Sequence, residues 1–283
     1  MIWLLLLPAL AVVVLLFGGG LVLGILQALG FSADGAGVWT LGHFEKVLTD
    51  PDIIRGLVMT FYISLTSTLA AAAASIVMAL ALMAMTGRRR TVQFIFQLPL
   101  TVPHLVIAVA MLFLLSPTGL LSRAAAALGL LDAPAGFPLV INDTWSVGII
   151  AAYVWKEIPF ITLMILSALK HGGRELLDVG KTLKATPWQR FRYIVLPTIF
   201  PSLTAACLIV FAYTFGAFEV PYLLGRTYPM TLPVMAFRLF SDVDLIARPE
   251  GIATGILIAV VVVISVVLSH MVTSSARRRG VII

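Results

Sequence analysis

The chain has 283 residues, of which 60% are hydrophobic and only 11% are charged, and its mean hydropathy is +1.07. This amount of polar surface is too small to cover a water-soluble globule of this size. Most of the chain must therefore face lipid or other buried helices. The formal net charge of +6 could suggest nucleic acid, but the basic residues lie in short clusters between apolar stretches. That arrangement is typical of membrane topology.

Six apolar stretches are long enough to cross a bilayer, which takes about 20 residues of helix. The first stretch lacks the basic start and the cleavage site of a signal peptide, so it is expected to be a retained span. We predict an all-α polytopic membrane protein of about six transmembrane helices, with a single domain over 1–283 whose core is 54–272. The predicted spans are Trp3 to Leu29, Ile54 to Thr86, Phe94 to Leu121, Val147 to Leu169, Thr198 to Leu224 and Gly251 to Val272.

The distribution of Lys and Arg predicts the orientation of these spans, because cytoplasmic loops carry the excess of basic residues. One side holds 12 of the 19 basic residues. They are Arg88, Arg89, Arg90, Lys170, Arg174, Lys181, Lys184, Arg190, Arg192, Arg277, Arg278 and Arg279. With an even number of spans, both termini are expected in the cytoplasm.

The loop between the fourth and fifth spans, 172–196, is too long and too patterned for a simple turn. Leu176, Val179 and Leu183 recur at helical spacing beside charged residues, which predicts a short amphipathic helix. Thr186, followed by Pro187 and by Gln189 three positions after the threonine, predicts a capping box that starts a second helix at Pro187. From physics alone, the segment could instead be an interfacial helix that rests on anionic lipid.

The stretch from Asp178 to Pro197 resembles the EAA loop of binding-protein-dependent ABC importer permeases of the MetI-like type. Phe191, Ile194, Leu196 and Pro197 match the family pattern, Trp188 and Gln189 fall where such sequences often carry them, and Asp178 stands in for the family's glutamate. The chain departs from the pattern at Gly180, where the family has an alanine, and at Lys184, where it has a glycine. The lysine argues against the family's usual sharp bend at Lys184, and the Thr186-Pro187 elbow could supply a bend slightly later.

The resemblance implies that this loop is a coupling helix between spans 4 and 5, which couples the chain to an ATP-binding subunit through Asp178, Val179, Gly180, Lys184, Ala185, Trp188 and Phe191. It further implies a bacterial inner (plasma) membrane location and three kinds of partner: two ATP-binding subunits, a second permease that is a paralogue or an identical copy, and an external substrate-binding protein. No phosphate-binding loop of the G-x-x-x-x-G-K-[ST] type occurs in the sequence. ATP and Mg²⁺ are therefore expected in the partner subunits, with no cofactor and no catalytic site in this chain.

Ionisable residues inside a span cost about 2.5 to 3.5 kcal/mol at the helix centre, so they usually face a cavity or a partner. Lys156 and Glu157 lie in the middle of span four, and Glu219 lies in the outer part of span five. Neighbouring residues on a helix cannot neutralise each other well, so Lys156 or Glu157 needs another partner. Each of the three could be a structural pair or a substrate contact, and Pro159 allows a kink nearby.

Aromatic residues surround Glu219, and a carboxylate among aromatic rings suits an organic cation. The predicted substrate pathway therefore comprises Lys156, Glu157, Tyr213, Phe215, Phe218 and Glu219. The run from Gly216 to Gly225 looks like the G-x-F-x-x-P-x-L-L-G run of polyamine-type permeases, and permeases for thiamine, ferric iron and phosphonates have similar text. A polyamine or similar organic cation is therefore one candidate substrate.

Two other function classes compete with an ATP-driven permease. A secondary transporter or channel would work without ATP, but such carriers show broken helices and internal repeats, and neither is evident in the sequence. A membrane-embedded enzyme would need a nucleophile, base and metal constellation, which the spans lack. The four histidines do not have the spacing of metal ligands: His43 and His171 are expected in loops, His104 beside Pro103 and His270 near the inner end of span six.

Overall fold

The computed structural model describes residues 2–31, 37–85, 89–170 and 174–278. In these ranges the chain is helical, and the one β-type pairing there is an isolated bridge between Phe31 and Gly37. Thr86, Arg88, His171, Gly172 and Arg279 of the predicted features lie outside the described residues. The α-helices are α1 (Ile2–Val13), α2 (Gly19–Ala28), α3 (Gly42–Thr49), α4 (Pro51–Ala84), α5 (Arg89–Thr101), α6 (His104–Leu115), α7 (Leu120–Ala127), α8 (Val147–Ala168), α9 (Arg174–Thr182), α10 (Pro187–Arg190), α11 (Leu196–Gly216), α12 (Glu219–Leu224), α13 (Leu232–Phe240) and α14 (Arg248–Arg278).

Six helical stretches of the described chain are long and apolar enough to cross a membrane. They are Leu6–Ala28, Pro51–Ala84, His104–Ala127, Val147–Ala168, Pro187–Gly216 and Leu245–Ser269. Turns of π-helix join α1 to α2 at Val14–Gly18 and α10 to α11 at Phe191–Val195. The predicted all-α class and the number of spans are confirmed, and His43, predicted in a loop, lies in α3.

Two of the predicted spans are interrupted, which the hydropathy pattern did not reveal. The third predicted span divides into α5 and α6, with a break at Val102 and Pro103. Pro103 has no N–H to donate and adopts extended dihedral angles, φ −58° and ψ 146°, just before α6. In the fifth predicted span, α11 ends at Gly216, and α12 then begins at Glu219. Broken helices, which were not evident in the sequence, therefore occur at both places, because hydropathy measures composition and not backbone continuity.

The chain folds into two compact units, of which the first comprises Met1–Met59 and Pro229–Val261. Its buried core is formed by Ala28, Val47, Ile53, Leu232, Met235 and Ala253. The Nζ atom of Lys46 on α3 lies 2.6 Å from Oε1 of Glu250 on α14. This hydrogen bond and the negative charge of Glu250 raise the pKa of Lys46 above its ordinary value.

The second unit comprises Thr60–Tyr228 and Val262–Ile283, and α8 is its central helix. Helix α8 packs against α5, α6, α11 and α12, and half of its residues are buried. The carboxylate of Asp143 accepts hydrogen bonds from the backbone N–H groups of Trp145 and Val147, which satisfies donors at the start of α8. Because α8 touches every neighbouring span of this unit, its polar residues meet several helices.

Candidate functional site

Residues 174–196, called the coupling segment below, begin with the amphipathic helix α9. Leu176, Val179 and Leu183, the predicted apolar stripe, are exposed. Leu177, on a different face of α9, packs against the core of the second unit. Asp178 is also exposed, and its carboxylate lies 2.7 Å from Nζ of Lys181, one turn along the helix. Helix α9 thus leaves an apolar stripe with charged neighbours exposed on this chain.

The sharp bend of the coupling segment occurs at Lys184, the position of the family's glycine. Lys184 is left-handed, with φ +55°. Its N–H donates to the Lys181 carbonyl, and the Ala185 N–H donates to the Gly180 carbonyl. These two bonds form a Schellman motif, which ends α9. The lysine therefore does not prevent the bend, contrary to the sequence-based expectation, and the elbow at Thr186 follows two residues later.

Gly180 allows the two helices of the coupling segment to approach closely. A Cβ atom at this position would lie 2.9 Å from Cδ1 of Ile194 and 3.3 Å from Cγ of Arg190. Those distances are shorter than normal carbon contacts, so a larger side chain would push the helices apart. The two helices are therefore held against each other at this position.

The capping box predicted at Thr186 is present. The Gln189 N–H donates to Oγ1 of Thr186 at 3.3 Å, and the Thr186 N–H donates to Oε1 of Gln189 at 2.8 Å. Trp188 and Phe191 follow, with ring centroids 5.6 Å apart. Phe191 packs against the core, whereas Trp188 is 67% exposed. The helix continues without a break into α11, which gives the exposed tryptophan a rigid mounting.

Within the membrane-spanning part of the second unit, Lys156 closes the end of α5. Its Nζ atom donates to the carbonyl oxygens of Pro99, Leu100 and Val102 at 2.6, 3.2 and 2.5 Å. Lys156 is only 6% exposed. All the hydrogen bonds of its ammonium group among the described residues go to backbone carbonyls. This favours a structural role for Lys156 over a contact with the substrate.

Glu157, the next residue, contacts the start of α6. Its Oε1 atom lies 3.2 Å from Nε2 of His104. The His104 ring is also close to two tyrosine rings, with centroid distances of 4.4 Å to Tyr213 and 6.5 Å to Tyr153. The sequence reasoning treated His104 as ordinary. Its position after Pro103 in an apolar stretch was the available signal, because a buried polar residue needs a partner.

Glu219 joins the same region from α12, which packs against α6 and α8. Tyr213 is 40% exposed, whereas Tyr153 is fully buried. We call His104, Tyr153, Glu157, Tyr213 and Glu219 the intramembrane cluster. Its members come from α6, α8, α11 and α12.

The structure places the other two predicted pathway residues differently. Phe215 is fully buried, and its ring packs between Phe61 and Phe211 with centroid distances of 4.9 and 5.6 Å. It serves the packing of the unit and does not face a pathway. Phe218 precedes α12, and its ring lies 4.9 Å from that of Tyr222. Glu219 itself begins a new short helix, because α11 has already ended at Gly216.

The described part of the chain holds no group of three His, Cys, Asp or Glu side chains that could bind a metal ion. The hydroxyl of Tyr153 is buried and has no hydrogen-bond partner among the described residues. Buried polar groups are normally paired, so this unpaired hydroxyl is an exception in the interior of the second unit. Two carboxylates and an unpaired hydroxyl make the intramembrane cluster suitable for a cation with N–H donors.

Comparison with known proteins identifies a family. Residues 71–280 match the model of a family described as binding-protein-dependent transport system inner membrane component. The molybdenum transport system permease protein ModB of Azotobacter vinelandii is 28% identical over 163 residues, which cover 57% of this chain and 68% of ModB. The spermidine/putrescine transport system permease protein PotB of Haemophilus influenzae is 31% identical over 132 residues, 47% of this chain and 44% of PotB.

The fold is also similar to that of a solved structure of a bacterial ABC transporter involved in the import of the acidic polysaccharide alginate. The TM-score is 0.80, with 22% sequence identity, and the match covers 97% of this chain and 95% of the other. This likeness extends over the whole sequence, including the first span, which precedes the part matched by the family model.

Proposed function

Since the chain belongs to the family of binding-protein-dependent transport system inner membrane components and is a permease subunit of an ABC importer, we propose that it lines half of a translocation pathway. A second permease, identical or paralogous, forms the other half. Two ATP-binding subunits dock on the cytoplasmic side and carry ATP and Mg²⁺, and an external binding protein delivers the solute. The resemblance of the EAA loop to this family is confirmed.

The coupling segment is the observation that carries this proposal. Its exposed apolar side chains, Leu176, Val179, Leu183 and Trp188, lie on short helices that are fixed by a Schellman motif, a close contact at Gly180 and a capping box. Exposed tryptophan on a rigid support is typical of the centre of a protein interface. A partner that grips this segment can move α11 with it, because the helix is continuous.

The distribution of basic residues supports the orientation. Lys181, Lys184, Arg190 and Arg192 of the coupling segment lie on the side that holds most of the Lys and Arg residues. The positive-inside rule assigns this side to the cytoplasm. Both termini then lie in the cytoplasm of a bacterial cell with the chain in its inner membrane.

For the substrate, the intramembrane cluster favours an organic cation such as a polyamine. Glu157 and Glu219 supply negative charge, Tyr213 supplies an accessible ring, and Tyr153 supplies an unpaired hydroxyl. A cation over an aromatic ring gains about 0.5 to 2 kcal/mol. PotB is named for spermidine and putrescine and ModB for molybdenum. The two relatives therefore do not identify a common substrate, and the argument rests on the cluster.

Reconstitution in liposomes tests the proposed class. The complete complex, with its ATP-binding subunits and binding protein, should take up labelled spermidine only when ATP is supplied on the cytoplasmic side. Uptake by this chain driven by an ion gradient, with no nucleotide, would instead favour the secondary transporter.

The substrate class is tested by Glu219→Gln. The substitution removes a negative charge and keeps the shape, so spermidine uptake should fall by about tenfold, a loss of about 1.4 kcal/mol. Glu45→Gln, at an exposed glutamate of α3, is the matched control. Heating the cognate binding protein with spermidine provides a separate check, because a true ligand raises the melting temperature. Full transport by Glu219→Gln would make this residue structural.

A further inference from the structure

The break in the third span exposes two helix ends of opposite polarity. Helix α5 ends at Thr101, where the carbonyl groups of its last turn lack helical partners, and α6 begins at His104. The carbonyl end of a helix is partially negative and the amide end partially positive. Inside a bilayer no water satisfies these groups, so the protein must supply partners for both ends.

Helix α8 contacts both sides of the break. Lys156 donates to three carbonyl groups at the end of α5, and Glu157 contacts His104 at the start of α6. Consecutive residues of a helix point about 100° apart. This angle, which prevents the two side chains from pairing with each other, allows one to reach α5 and the other to reach α6.

Helix α5 and the coupling segment pack against one core cluster of the second unit. Val92 and Phe96 of α5 pack against the same core cluster as Leu177 of α9 and Phe191 at the entry to α11. Helix α5 has 13 residues, which corresponds to about 20 Å of rigid rod. A single helix therefore reaches from the core beside the coupling segment to the residues that hold the intramembrane cluster.

A cavity of about 460 Å³ lies next to the break. Helix α5 contributes Pro99 to its lining, the break contributes Val102, and Trp155 and Pro159 of α8 lie opposite. Closely packed interiors resist displacement of one helix past another. The cavity leaves the end of α5 room to shift relative to α8 while the Lys156 contacts are kept.

From these contacts we propose that Lys156 and Glu157 are positioning residues for transport. Together they transmit the movement of α5, driven at the coupling segment, to the intramembrane cluster. Lys156 couples the position of the α5 carbonyl end to α8, and Glu157 couples α8 to His104 and through its ring to Tyr213. This inference rests on the proposed function, because it needs ATP to move the coupling segment.

Two cysteine reporters can test the inference without knowledge of the substrate. Cys207 is the only cysteine, so Cys207→Ala gives a cysteine-free parent. Gly216→Cys, at the exposed end of α11, reports on the cluster, and Leu183→Cys reports on the coupling segment. The probe is a water-soluble maleimide, added to the assembled complex with and without ATP. In the parent, ATP should change both labelling rates by at least about threefold.

Lys156→Met should abolish the response at Gly216→Cys and keep the response at Leu183→Cys. Lys156→Arg, which retains a cationic donor, should restore most of the cluster response. The matched control is Lys46→Met, which removes a lysine from the first unit and should leave both responses unchanged.

The outcomes separate the two proposals. If neither reporter responds to ATP in the parent, the proposed function fails. If the parent responds and Lys156→Met still shows the full response at Gly216→Cys, only the inference fails. If both responses decline together in Lys156→Met and Lys156→Arg does not restore them, Lys156 is merely structural and the inference is overturned.

Discussion

The coupling segment and the third span contain the same kinds of irregularity, yet only the first can be read from the sequence. In the coupling segment the capping box spans Thr186 to Gln189, three residues apart. In the third span, Lys156 holds carbonyl groups that lie 54 to 57 residues earlier in the chain. Short-range contacts leave a motif in the sequence, whereas long-range contacts leave only a buried charge with an unknown partner.

The comparison shows what a buried charge in a span does and does not reveal. The cost of burial correctly predicted that Lys156 or Glu157 needs a partner elsewhere. It did not predict that this partner is the backbone, because the break at Pro103 lies within an uninterrupted apolar stretch. A continuous hydropathy signal therefore conceals a broken helix whenever another helix supplies the missing partners.

The largest effect is expected for the coupling segment, where the sequence was most informative. Trp188→Ala should weaken binding of the ATP-binding subunit by about 30-fold or more, because buried interface tryptophans contribute about 2 kcal/mol or more. Co-purification at defined subunit concentrations measures this affinity. Trp145→Ala removes a tryptophan that is 69% exposed, compared with 67% for Trp188, and serves as the control. Equal retention of the subunit by both variants would contradict a docking role.

The next largest effect is expected when the long-range contact between Glu157 and His104 is weakened and no local motif is altered. Glu157→Gln keeps the size of the side chain but weakens its contact with His104. The free energy of unfolding should fall by about 1 to 2 kcal/mol, the difference between a charged and a neutral hydrogen bond. Thermal unfolding of the purified subunit measures the loss, with the exposed Glu175→Gln as control. An unchanged melting temperature would mean that the contact between Glu157 and His104 does not stabilise the fold.

A smaller effect is expected from the corresponding local contact. Thr186→Ala removes the cap of α10 and should cost about 1 kcal/mol. Hydrogen exchange of the Trp188 to Arg190 amides should accelerate in the isolated subunit, while exchange in α8 stays the same. Thr182→Ala, whose hydroxyl donates to the Asp178 carbonyl, controls for loss of a threonine nearby. Faster hydrogen exchange throughout the second unit would show that the cap stabilises more than α10.

The smallest effect, and the only stabilising one, concerns Lys184. A left-handed conformation costs a residue with a side chain about 1 kcal/mol, and glycine adopts it freely, so Lys184→Gly should slow amide exchange in α9 by up to about fivefold. Leu183→Gly, one residue earlier, should accelerate exchange. Faster exchange in Lys184→Gly would indicate that the lysine side chain makes a stabilising contact.

The residues of the candidate site also divide into those that the sequence reveals and those that only the packing of helices reveals. The residues of the coupling segment, and the carboxylates Glu157 and Glu219, could be selected from the sequence because their chemistry is unusual for their surroundings. His104 and Tyr153 could not, because their importance depends on which helices meet. Phe215 was selected for its neighbours in the sequence, but the side chain points into a packed aromatic group. Two residues that are close in the sequence of a helix do not necessarily lie on the same face of that helix.

The ammonium group of Lys156 takes the place of a bound cation at the free carbonyl groups of the interrupted third span. Interrupted membrane helices in ion-driven carriers commonly leave their free carbonyl groups to dissolved Na⁺, so their shape depends on the salt outside the cell. Here the positive charge is covalently attached to the neighbouring helix and cannot diffuse away. Transport by this protein should therefore proceed equally well in sodium and in potassium media.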